Sequence, residues 1–157
     1  MGEKEFLTRI QAHQNIIYKL VHLYAISKED KKDLYQEVLF QAWKTYPSFR
    51  GDAKFSTWLY RLSLNTIFTV QRNTKRIEYT DTAQYEEQLI SEPESDEKER
   101  LYQAIRTLPE TDRAIVSLHL DGYDNKEVSE LLGITANGVG VKLHRAKQQL
   151  ATLLKNI

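Results

Sequence analysis

Residues 124–150 read DNKEVSELLGITANGVGVKLHRAKQQL, two helices and the turn between them in one run. Asp124 and Glu127 stand three apart, the spacing of a capping box at a helix start. Val128, Leu131 and Leu132 supply the apolar side of a short helix over 125–132. Gly133 then breaks the chain, because glycine enters the left-handed backbone of a sharp turn at no steric cost. Ile134 completes the turn. The hydroxyl of Thr135 can cap a last helix of about 18 residues. In that helix Val139, Leu143, Ala146, Leu150, Leu153 and Leu154 recur at steps of three and four, so they are expected to pack inward. Gly138, Val141, Lys142, Arg145 and Gln149 take the opposite face, with Asn137 in the first turn and His144 on or near the outer side. The whole is a helix-turn-helix pattern. Lys142 and Arg145, one turn apart, are placed to reach phosphates or base edges in a major groove. Gly138 and Gly140 each cost about 1 kcal/mol against alanine inside a helix. Either they let the backbone approach DNA closely, or they mark a loosely wound first turn with no contact role. Helical hairpins in other roles can show the same pattern.

Upstream, Leu101, Ala104, Ile105 and Leu108 mark another helix, and Leu108-Pro109 opens the next with Glu110 and Asp112 at its positive end. Gly122 closes that helix. These elements define a second domain, 99–157. Residues 77–98 are acidic, contain Pro93 and lack sustained periodicity, which reads as a flexible linker kept extended by like-charge repulsion, with a packed helix as the alternative. The first domain, 1–76, begins with Phe6, Ile10, Ile17, Leu20, Val21 and Tyr24 at helical spacing. Ser27 and Asp30 resemble a capping box for a second helix to about Tyr46, which Pro47 ends. A loop with Arg50-Gly51-Asp52 leads to a third helix from about Ser56 to Lys75. Its repeating positions include Trp58, Leu59, Leu62, Thr66, Thr69 and Val70. No strand pattern or internal repeat is visible. The expected fold is all-α: two small helical domains joined by a flexible linker, the C-terminal one a helix-turn-helix.

The 157 residues balance 22 Lys and Arg against 22 Asp and Glu, but the charges are segregated. Residues 42–76 hold seven bases and one acid, a net +6. Residues 77–100 hold nine acids and two bases, a net −7. From Thr135 to the end there are four bases and no acid. Two basic blocks flanking an acidic one suit two contacts to a polyanion, although solvated helix faces would give the same counts. The absence of cysteine excludes disulfides and thiolate metal sites. His13, His22, His119 and His144 are scattered and make no ligand pair, so no metal or other cofactor is expected. With no signal peptide and no apolar run of about 18 residues, the expected location is the cytoplasm. No nucleophile–base pair or phosphate loop appears, so an enzyme is the least expected class.

Between Trp43 and Phe68 lie seven aromatics interleaved with Lys44, Arg50, Lys54 and Arg61. Aromatic faces accept unstacked bases and cations track a backbone, a combination that suits single-stranded DNA. Core packing competes with that reading and is expected for Trp43, Tyr46 and Phe68, whereas Phe49 in the loop is better placed for contact. Arg61 and Asn65 share a helical face, and a polar pair beside an aromatic loop can bind an extruded base by its edge.

Two strings bring a family into view. FRGDAKFSTWLYRL at 49–62, preceded by Asp33-Leu34-Tyr35-Gln36-Glu37-Val38 and Ala42-Trp43 and followed by Asn65, resembles domain 2 of the bacterial extracytoplasmic-function (ECF) sigma factors. Leu108-Pro109-Glu110, Asp121-Gly122, Glu127-Val128, Leu132-Gly133-Ile134, Val139 and Leu143-His144-Arg145-Ala146-Lys147 resemble their domain 4. The two motifs occur in the family's order and cover nearly all of the chain except the linker. The resemblance implies a non-catalytic subunit that binds RNA polymerase core, recognises the −35 and −10 promoter elements and promotes DNA melting. It implies that Asp33, Gln36 and Glu37 dock on the β′ clamp, and that domain 4 meets the β flap. Phe49, Leu62 and Asn65 match the pocket for a flipped −10 base, with Lys54 and Arg61 on the backbone. Thr135, Asn137, Gly138, Val141, Lys142, His144 and Arg145 fall on the −35 reading helix. An anti-sigma factor is a further implied partner. The chain departs from the family at Gly138, Gly140 and Val141, where many members carry Thr, Lys or Arg, and Ser. Its −35 preference therefore cannot be copied from them.

Overall fold

A computed structural model of the chain describes residues 2–77 and 96–155, and all regular structure among them is helical. The chain divides into two compact units, one carrying the helices up to Ile77 and the other those from Asp96.

The first unit is a three-helix assembly. Its α1 spans Glu3–Tyr24, with Glu3 and Glu5 at the positive end of the helix. The six positions spaced for a core (Phe6, Ile10, Ile17, Leu20, Val21 and Tyr24) are all buried. Ser27 Oγ accepts a hydrogen bond from the Asp30 amide at 3.0 Å and starts α2, Lys28–Thr45. Only Leu34, Val38 and Ala42 of α2 are buried, a narrow stripe at steps of four. The helix ends at Thr45, and Tyr46–Ser48 tighten into a 3-10 turn that contains Pro47. The next helix, α3, covers Phe55–Ile77 and buries Phe55, Leu59, Tyr60, Leu64 and Ile67 with Ser63 and Thr66. Gln71 Nε2 donates to the Tyr24 carbonyl at 2.7 Å, satisfying an orphan acceptor at the end of α1.

Two sequence expectations fail here. Of the positions assigned to the repeating stripe of α3, Leu59 and Thr66 are buried, Trp58, Leu62 and Val70 are half-buried, and Thr69 is exposed. The core face of α3 lies one step further round, through Tyr60, Ser63 and Ile67. Trp43 is 46% exposed and is not a core residue. It follows Ala42 by one helical step of about 100°, which turns it off the buried stripe. One face of its ring leans on Phe6, at 5.1 Å between centroids. Tyr46 and Phe68 are half-buried.

The second unit holds α4, Asp96–Arg106; α5, Glu110–Leu120; α6, Asn125–Leu132; and α7, Ala136–Lys155. Ile105, Leu108, Ala114, Ile115, Leu118, Val128, Val139 and Ala146 form its core. Helix α4 starts at Asp96, inside the segment read as linker, and α3 reaches Ile77 at the other side of it. The linker reading for 78–95 falls outside the described residues.

Candidate nucleic-acid interface

The loop between α2 and α3 is built around stacked rings. Phe49 lies parallel to Tyr46 at 6.1 Å, edge-on to Phe55 at 5.7 Å and tilted against Trp58 at 5.3 Å. Arg9 of α1 caps the cluster, its guanidinium carbon 6.0, 5.5 and 5.6 Å from the rings of Tyr46, Phe49 and Phe55. A groove of about 720 Å³ opens beside them, lined by Gly2, Glu5, Arg9, Trp43, Lys44, Tyr46, Pro47, Phe49, Arg50 and Gly51. Three cations and one acid line it, and the acid, Glu5, pairs with Arg9 at 3.4 Å. Aromatic walls with a positive rim suit a nucleobase attached to phosphate. Sequence reasoning missed Arg9, which sits three residues after Phe6 at the edge of the buried stripe of α1. It also missed that Trp43 lines an open groove.

Trp58, Leu62 and Asn65 follow one another along a single side of α3, so the surface continues from Phe49 through Trp58 towards Asn65. Asn65 and Arg61 are exposed one turn apart, and Leu62 is half-buried between them. Lys54 is exposed at the N-terminus of α3, where its carbonyl accepts from the Trp58 amide at 3.0 Å. The structure therefore gathers Phe49, Lys54, Arg61, Leu62 and Asn65 at the loop and the adjoining side of α3.

Asp33, Gln36 and Glu37 lie on the face of α2 opposite Leu34, Val38 and Ala42. Asp33 and Gln36 are exposed, and the half-buried Glu37 accepts from Gln41 Nε2 at 3.1 Å. Phe40, 55% exposed, shares this face, and the Lys44 ammonium sits 5.8 Å from its ring. An aromatic residue one turn beyond Gln36 and Glu37 is the signal that sequence reasoning passed over.

In the second unit the capping box is complete: the Asp124 amide donates to Glu127 Oε1 and the Glu127 amide to Asp124 Oδ1, both at 2.8 Å. Gly133 adopts φ 75° at the end of α6, which turns the chain into α7. Thr135 Oγ1 accepts from the Gly138 amide at 2.9 Å and is the N-cap of α7. A Cβ at Gly138 would stand 3.0 Å from that hydroxyl, so the missing side chain leaves the cap its room. The first turn is regular helix, closed by a bond from the Val139 amide to the Thr135 carbonyl at 3.0 Å. Val139, Leu143, Ala146 and Leu150 are buried as their spacing requires. Leu153 is 39% exposed and Leu154 half-buried, contrary to the inward expectation, because the last turn of α7 has too little standing opposite it to bury them. On the outer face Thr135, Asn137, Val141, His144 and Arg145 are exposed, with Gly138 and Lys142 half-buried. The chain from Thr135 onward holds no acid, so this face is electropositive.

Among the described residues, no group of three or more His, Cys, Asp or Glu side chains could hold a metal ion. No described helix is long and apolar enough to cross a membrane.

Known proteins agree with this layout. The family model for Sigma-70 region 2 matches residues 9–77, and that for Sigma-70, region 4 matches residues 98–150. The ECF RNA polymerase sigma-E factor of Escherichia coli K12 is 27% identical over 164 aligned positions, covering 94% of this chain and 85% of that protein. The sigma-E factor of Haemophilus influenzae is 28% identical over 94% of this chain and 86% of its own length. Among solved structures, the sigma factor RpoE of Bartonella quintana, in complex with the anti-sigma factor NepR, superposes with a TM-score of 0.81 at 18% identity. That match covers 98% of both chains. CnrH in complex with the cytosolic domain of CnrY gives 0.70 at 21% identity, covering 99% of this chain and 91% of that one. These two similarities establish the fold. With regions 2 and 4 both matched, in order and over most of the sequence, the chain belongs to the ECF sigma factors of the sigma-70 family.

Proposed function

We propose that this chain binds RNA polymerase core, directs it to −35 and −10 promoter elements and opens the DNA between them and the start site, performing no bond chemistry of its own. Supporting this reading is the presence, in one chain and in this order, of a region 2 with a cation-lined aromatic loop and a region 4 with an acid-free outer helix face. Domain boundaries at 1–76 and 99–157, with the acidic segment as connector, fit the division of labour.

In this mechanism Asp33, Gln36 and Glu37 hold the β′ clamp, with region 4 against the β flap. Thr135, Asn137, Gly138, Val141, Lys142, His144 and Arg145 meet the −35 duplex. A −10 base leaving the stack is taken between Phe49, Leu62 and Asn65 while Lys54 and Arg61 hold its backbone. Unstacking costs on the order of a few kcal/mol per base, and one snug pocket offsets much of that. The neutral chain displaces few counterions, so tight promoter binding requires the polymerase to hold both units on DNA. An anti-sigma factor, like the one bound in the solved RpoE–NepR complex, is proposed as the inhibitory partner. Action on polymerase and chromosome in a bacterial cell places the protein in the cytoplasm.

Run-off transcription with purified core polymerase on fragmented genomic DNA tests the reading. A discrete set of start sites that depends on added protein supports it. Tight, sequence-specific duplex binding without polymerase would instead indicate a self-sufficient regulator.

A further inference from the structure

We infer that Val141 recognises the 5-methyl group of a thymine in the −35 duplex. The inference rests on the proposal that the outer face of α7 enters the major groove there. Val141 is 52% exposed, an apolar side chain among Asn137, Lys142, His144 and Arg145. One exposed valine is ordinary on a protein surface. Its setting is what distinguishes it.

Side chains on a helix lean towards its N-terminus, so Val141 covers the turn that contains Gly138. That position has no side chain, and a Cβ there would stand 3.0 Å from Thr135 Oγ1, so the cap would have to shift by a few tenths of an ångström to admit one. Gly140, on the other flank, is bare as well, although a Cβ there would make only an ordinary 3.5 Å contact with Asn125 Nδ2. The helix surface is thus bare at positions 138 and 140 on either side of Val141, and bare positions permit close approach to a groove floor. Valine has one strongly preferred χ1 in a helix, so its two methyls are fixed before DNA arrives. Only thymine displays a methyl group in the major groove. A cytosine amino group or a guanine oxygen facing Val141 would lose water and gain no partner, which disfavours those bases. Lys142 and Arg145 remain to serve guanine edges and phosphates. The consequence is a preference for thymine at one −35 position, set by a residue where the family commonly has a hydroxyl.

The test uses holoenzyme made from core polymerase and the full chain. Upstream duplexes are first selected from a pool randomised over the −35 region, joined to a fixed −10 element. Each thymine of the winning sequence is then replaced by uracil, which removes only the methyl. The expected result is one thymine whose replacement weakens competitive binding about fourfold, the factor for burying one such group. In Val141→Ala and Val141→Ser holoenzymes that penalty should vanish at the same position. A consensus without thymine, indifference to uracil at every position, or an equal penalty in Val141→Ala overturns the inference while leaving −35 recognition standing. A pool that yields no upstream consensus at all overturns −35 recognition and this inference together.

Discussion

The guanidinium carbon of Arg9, in the second turn of α1, lies 5.5 Å from the centre of the Phe49 ring, in the loop forty residues later. The same cation reaches Tyr46 and Phe55, so one side chain of α1 braces the rings of the loop between α2 and α3. Its partner Glu5 is surface-exposed, and an exposed pair of this kind adds little stability. The ring contacts are the larger effect.

Arg9→Ala should therefore lower the unfolding free energy by about 1 kcal/mol. Urea denaturation measures this. Glu5→Ala should change it by less than half as much. The Arg9 variant should also slow promoter opening, since the loop loses its brace, while polymerase affinity holds. Equal stability losses for the two variants would show that the ion pair, not the ring contact, is what matters.

Ser63 Oγ is fully buried in α3 and has no hydrogen-bond partner among the described residues. An unsatisfied buried hydroxyl costs on the order of 1 kcal/mol or more, and alanine removes it while leaving a space barely larger than an oxygen atom. Ser63→Ala should raise the denaturation midpoint with the m-value unchanged. A fall in the midpoint would mean that the hydroxyl has a role the packing does not reveal.

The Asp124–Glu127 box fixes the start of α6, and α6 fixes the turn into α7. Asp124→Ala should cost about 1 kcal/mol in stability, and Asp124→Ser should recover most of it. Binding of the −35 duplex by holoenzyme should weaken with the alanine variant and return with serine. Weak binding in both variants would mean that the carboxylate itself touches DNA.

Tyr18 and Tyr35 stack at 4.8 Å between α1 and α2. Burial, then the hydrogen bond that the Tyr35 hydroxyl donates to Tyr18, push the Tyr35 phenol up to about 12 from 10.0. The raised pKa in the folded state means that its stabilising contribution is complete below pH 10 and is lost as pH rises towards 12. Ultraviolet titration should show one tyrosine ionising late, and Tyr18→Phe should bring it earlier. A titration curve unaltered by Tyr18→Phe would contradict the pairing.

Helix-scale features were legible in the sequence because caps and turns are local. Asp124, Glu127, Gly133 and Thr135 act within a few residues of themselves, and each sits in the role its spacing suggested. Faces were less legible. The stripe of α3 was misread through Trp58 and Leu62: both are half-buried, Trp58 against the loop rings, and spacing cannot distinguish such a berth from core. Ser63, being polar, disguised the true core face. Leu153 shows the complementary limit: periodicity says which way a side chain points, not whether anything stands opposite it. Arg9 was invisible because its role depends on a loop distant in sequence and close only after folding. The candidate −10 and −35 residues were found by motif, and the structure adds that their side chains are accessible, except where Leu62, Phe49, Gly138 and Lys142 are partly covered.

The two proposed DNA roles separate in a single assay. Promoter DNA carrying a fluorescent base analogue in the −10 element reports melting, and labelled polymerase reports binding, for holoenzymes with the native chain, Asn65→Ala and Arg145→Ala. The Asn65→Ala holoenzyme should engage the promoter with near-native affinity but open it about tenfold less, the effect of losing one base-edge contact. Arg145→Ala should weaken engagement itself, and opening only in proportion. Identical losses of engagement and opening in both variants would contradict the assignment of strand capture to the first unit and duplex reading to the second.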